Sequence, residues 1–109
     1  MKQISILLLL ILSFFSFNVL AGNKHLHEAI KQTEQAVVAS DAKGVARHAA
    51  EAITHAQEAL DNKHHKVDAS HVDEGIKSLS NAVKEGDAGN LDAAQKAARV
   101  ALEHLKAGN

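Results

Sequence analysis

Apolar residues recur along most of this chain at three- and four-residue intervals, as they do in helices that bury one stripe. Leu26, Ile30, Thr33 and Val37 mark one stripe over about Lys24 to Ala39. Val45, Ala49, Ala52, Ile53, Ala56 and Leu60 mark a second over about Ala42 to Leu60, after the capping candidates Ser40 and Asp41. A polar link, DNKHHKVDA, precedes a third helix, for which Ser70 with Asp73 resembles a capping box and Gly86 suits the C-terminal cap. Leu91, Ala94, Ala98, Leu102 and Leu105 define a fourth, with Asn90 as its cap. No proline interrupts any of them.

The pattern also repeats. A shift of 46 aligns His25, Glu28, Ile30, Lys31, Ala36 and Val37 with His71, Glu74, Ile76, Lys77, Ala82 and Val83. A shift of 49 aligns Ala49, Ala52 and His55 with Ala98, Ala101 and His104. Two helical hairpins are implied, and short turns favour antiparallel neighbours. The expected fold is all-α, an up-down-up-down antiparallel four-helix bundle with an alanine-rich centre.

The opening residues, MKQISILLLLILSFFSFNVLAG, follow a different rule. A lysine, an apolar run from Ile4 to Phe15 and the ending Val19-Leu20-Ala21 have the layout of a secretory signal peptide. The expected organisation is a leader over 1–21, cleaved after Ala21, and one four-helix domain over 22–109, exported to a bacterial periplasm. Cleavage one residue later would place Asn23-Lys24-His25 at the terminus, an arrangement able to wrap Cu(II) or Ni(II) in a square plane. All three Phe and the only Met lie in the leader, and there is no cysteine. Beyond Ala21 the hydrophobic residues are 19 alanines and 16 larger aliphatics, so stability should be modest and no disulfide can raise it. The 12 Lys and Arg and 13 Asp and Glu are interspersed, which points to neither nucleic acid nor, after cleavage, a membrane.

The distinctive chemistry lies in eight histidines. HAAEAITHAQEA, residues 48–59, sets the phrase H-A-x-E-A twice, seven residues apart. His48, Glu51, His55 and Glu58 then share one stripe, away from the apolar one, facing water or the flank of a neighbouring helix. H-x-x-E recurs at His25/Glu28 and His71/Glu74. In an antiparallel bundle the starts of helices one and three meet the ends of helices two and four. His25, His27, His55, His64, His65, His71 and His104 should gather at one pole, with His48 nearer the other. A helix end accounts for imidazolium at His55 and His104, but it disfavours the charged form at His25, His27 and His71, leaving the neutral form that binds metal.

Each H-x-x-E pair is half a metal site, since residues three apart can aim at one ion, whereas His48 and His55, roughly 10 Å apart along the axis, cannot. Completion needs another helix, the His64-His65 link or water. Imidazole and carboxylate without thiolate suit Cu(II), Ni(II) and Zn(II), with Cu(II) tightest. The candidate ligands are His25, His27, Glu28, His48, Glu51, His55, Glu58, His64, His65, His71, Glu74 and His104.

HAAEAITHAQEAL, HVDEGIKSLSNAVKEG and ALEHLKA after a signal peptide resemble the small metal-binding protein family of bacterial periplasmic proteins. The resemblance spans essentially the whole chain after the leader. It implies a monomeric bundle that binds several divalent ions, copper especially, as a buffer or scavenger. The family's histidines match at His25, His48, His55, His71 and His104, while Gln32, Ser78, Lys84 and Ala97 depart from its heptads, implying lower capacity. Redox and hydrolytic alternatives lack their motifs: there is no C-x-x-C-H, the pairs read H-x-x-E rather than E-x-x-H, and no positioned nucleophile is visible, so an enzyme is not expected. The remaining alternative is a non-metal periplasmic helical interaction or chaperone-like protein.

Overall fold

The first three helices begin where a short polar side chain satisfies amide groups that have no partner within the helix. The computed structural model describes residues 23–109, in which four helices follow one another: α1 (Lys24–Val38), α2 (Ala42–Asp61), α3 (Ala69–Asp87) and α4 (Leu91–Ala107). The leader expected over 1–21 lies outside the described residues. Asn23 caps α1, and Asp41, one of the two candidates there, caps α2.

Two boundaries differ from the sequence reading. Asp68, rather than Ser70, caps α3, its carboxylate accepting from Ser70 N and His71 N. Gly86 is not a C-cap: it is buried within α3, where an added Cβ would sit 2.6 Å from the carbonyl oxygen of Ala42 and 2.8 Å from Ala46 Cβ. Glycine is there for the close approach of α3 to α2. The left-handed residue in the turn is Gly89, at φ 85°. Asn90 holds the cap position of α4 without a side-chain capping bond, its carboxamide donating instead to Glu85 Oε1 at 2.8 Å.

Consecutive helices pack against one another and α1 closes the ring on α4, giving the antiparallel bundle of two hairpins. Its core is mostly alanine: Ala29, Ala36, Ala49, Ala52, Ala56, Ala59, Ala82, Ala94, Ala98 and Ala101 are fully buried around Leu26, Val45, Val72, Leu79 and Leu105. Ile30, Val37, Ile53, Leu60 and Leu91 flank this core rather than fill it. Small core side chains let the helix backbones approach closely, so a helix end carries its polar flank directly onto its neighbour. Among the described residues, no helix is long and apolar enough to cross a membrane.

Candidate metal centre

The start of α1 and the end of α2 are held together by one buried side chain. Asn23 Oδ1 accepts from His25 N (2.9 Å) and Leu26 N (3.1 Å), capping α1. Its Nδ2 donates to Ala59 O in the last turns of α2 (3.0 Å) and to His65 O in the link (2.8 Å). Asn23 is 2% exposed; its bonds with Ala59 O and Leu26 N are buried and those with His65 O and His25 N partly so. Sequence reading passed over this residue, although an asparagine directly before the first helical turn is a capping signal. Its long-range bonds have no local signature.

That clamp brings His25 of α1 beside His55 and Glu58 of α2. Glu58 Oε1 lies 3.5 Å from His25 Nδ1 and 3.4 Å from His55 Nδ1, and the three donor atoms all lie within 4.8 Å of one another. Donors on a tetrahedral ion with bonds of about 2.0 Å stand about 3.3 Å apart, so both nitrogen–oxygen separations already suit one ion. Glu58 is exposed while both histidines are half-buried. Among the described residues, this is the one group of three His, Cys, Asp or Glu side chains so placed.

An ordinary explanation is ion pairing, since an imidazolium next to a carboxylate is common on helix surfaces. His55 Nδ1 argues for more. It is buried and makes no hydrogen bond, its approach to Glu58 lacking the required geometry. A buried polar atom without a partner is costly, and an ion seated between the imidazoles and Glu58 would satisfy it.

The other histidines are distributed as follows. His48 Nδ1 lies 2.9 Å from Gln32 Oε1 on α1, away from the group, so His48 rests on the α1 flank. Glu51 is exposed. The carboxylate beside His25 is Glu58 of the neighbouring helix rather than Glu28, three residues on. His27, one residue before Glu28, is half-buried on α1. His71 Nδ1 pairs with Asp68 Oδ2 at 2.9 Å, while Glu74 lies 3.7 Å from Lys77 Nζ, so this H-x-x-E pair is not joined in the fold. The His71 hydrogen bond holds the Asp68 carboxyl below the usual aspartate range. His64 and His65 are exposed, with Asn62 Oδ1 accepting from both of their backbone amides. His104 is half-buried in the last turn of α4. The terminal Asn-Lys-His arrangement conflicts with this fold, because wrapping an ion would take the His25 amide that Asn23 Oδ1 accepts.

No curated protein matches the chain. The family model described as small metal-binding protein matches residues 1–108. With a bundle whose hairpin end gathers two imidazoles and a carboxylate, the chain belongs to the small metal-binding protein family.

Proposed function

We propose that the protein reversibly binds divalent transition metals at the bundle end, with His25, His55 and Glu58 as the principal ligands, and that it buffers or scavenges these ions in the periplasm. The observation that carries this reading is the interhelical group itself, with the unpartnered Nδ1 of His55 aimed into it. Two imidazoles and one carboxylate are borderline to hard donors, which favour Cu(II) over Ni(II) and Zn(II) by intrinsic affinity. Three protein ligands leave a coordination position open to water or to a donor from another molecule, which suits uptake and release. Because imidazole must be neutral to ligate, acid displaces the ion.

The experiment is a competition titration of metal-free protein with Cu(II), Ni(II) and Zn(II), comparing His55→Gln with His48→Gln. His55→Gln is expected to weaken the tightest site by at least about 10-fold, since losing a ligand costs no less than losing one of the groups that orient it, while His48→Gln leaves that site unchanged. Equal losses would remove the interhelical site from the account. Absence of saturable binding would favour a helical interaction module instead. Export and cleavage after Ala21 belong to the same proposal, and the intact mass of the exported protein, beginning at Gly22, tests them.

A further inference from the structure

The last turn of α2 carries charge of the wrong sign for its place. Carbonyl groups at the C-terminal end of a helix bear partial negative charge, so cations stabilise that end and carboxylates destabilise it. α4 closes on His104 and Lys106, α3 has Lys84 in its last turn with Glu85 and Asp87, and α1 ends without charge. α2 closes on Glu58 and Asp61 with no basic residue in that turn. It alone of the four helices ends on carboxylates without a cation.

Glu58 is accounted for by its place between His25 and His55. Asp61 is not. It is exposed and lies three residues beyond Glu58, a neighbour on the helix surface, so like-charge repulsion adds to the unfavourable dipole. Nothing local offsets this. The turn into the link is made by Asn62, whose Oδ1 accepts from His64 N and His65 N. Lys24, Lys63, Lys66 and Lys106 at this end of the bundle are exposed, and among the described residues none of them forms an ion pair with Asp61.

We propose that Asp61 is an electrostatic guide for the centre formed by His25, His55 and Glu58: it does not hold the ion but, together with the α2 C-terminus, gathers divalent cations at the entrance and speeds their capture. This role presupposes those three residues as ligands. An aquated ion forms an encounter pair with the protein before it exchanges water for a ligand. Uptake scales with the population of that pair, which a carboxylate beside the entrance raises at low salt. Release is governed by the ligands, because the guiding charge acts almost equally on the bound ion and on the ion just departing.

Ni(II) exchanges its water slowly enough for stopped-flow mixing with the purified protein, a chromophoric chelator reporting uptake and an excess of chelator measuring release. Asp61→Asn is expected to slow uptake roughly two- to fivefold at low ionic strength, the effect of one charge on a divalent ion about 7 Å away, and to leave release unchanged. The difference should vanish near about 1 M salt, where the screening length falls to about 3 Å. Asp87→Asn removes the same charge from the last turn of α3, at the opposite end of the bundle, and should alter neither rate. Asp61→Asn should also raise the thermal midpoint of the metal-free protein, since it relieves the α2 terminus. A lowered midpoint would make Asp61 a residue kept for the fold and overturn the proposal. Uptake slowed no more than by Asp87→Asn overturns it too, as does faster release, which would make Asp61 a ligand. If His55→Gln binds as tightly as the wild type while Asp61→Asn still slows uptake, the ligand assignment fails and the guiding charge stands.

Discussion

At the scale of single residues, short polar side chains decide where the histidines sit. Asn23 is the clearest case, because one carboxamide caps α1 and ties it to α2 and the link. Asn23→Ser retains a capping oxygen but cannot reach Ala59 O and His65 O. It is expected to cost about 1–3 kcal/mol, the range for leaving buried groups unpaired, and to weaken metal binding in parallel. Denaturant unfolding with and without Zn(II) checks both. Asp68 acts at the start of α3 through charge. Its folded pKa is depressed by hydrogen bonding from the His71 side chain and backbone, so its contribution to stability is present above the usual aspartate range. That contribution is lost as pH falls through the folded value. Asp68→Asn should therefore be less stable than the wild type above the usual aspartate range, with the gap closing as the pH is lowered through and below that range. Thermal unfolding across that range measures it.

At the scale of helices, the sequence was most legible where one element answers to one period. The stripes through Leu26 and Thr33, Val45 and Ala56, and Ala94 and Leu105 are the ones buried. Caps that involve only neighbouring residues, as at Asp41, were legible too. Gly86 was misread because a glycine near a helix end has two uses, and only the position of α2 distinguishes them. Replacing it with alanine tests the reason found here. As an exposed mid-helix position, Gly86→Ala would gain up to about 1 kcal/mol in helix propensity. Against Ala42 O and Ala46 Cβ it should instead lose about 1–3 kcal/mol through overpacking. A lowered thermal midpoint is the expected outcome, and a raised one would show that α3 and α2 can separate freely.

At the scale of the whole molecule, the proposed ligand set links metal to fold, since His25 and His55 belong to different helices and meet only when the bundle forms. An ion that binds only the folded state adds about 2.7 kcal/mol per site at a hundredfold excess over Kd. In a bundle with an alanine core, Cu(II) should therefore raise the midpoint followed by helical circular dichroism. The rise should persist in a His64→Gln, His65→Gln double variant and shrink in His55→Gln. Tight Cu(II) binding with an unmoved midpoint would mean that the ligands are local, in the link or in single H-x-x-E pairs.

The sequence alone determined what periodicity and composition can encode: four helices, their repetition as two hairpins, an alanine-rich interior, and a pole at which most histidines collect. Each depends on residues close together in the chain or on the short turns that force helices to run antiparallel. Which histidines stand beside which carboxylates was not legible from the H-x-x-E phrase. H-x-x-E places His25 near Glu28 and His71 near Glu74 with equal force, yet the fold pairs His25 with Glu58 and His71 with Asp68. The His71 pairing is local, set by the Asp68 cap three residues before it, whereas the His25 pairing depends on the rotation of α1 and α2 about their axes. That rotation is fixed by core packing and by the reach of Asn23 across 36 residues to Ala59, neither of which leaves a pattern within one helix.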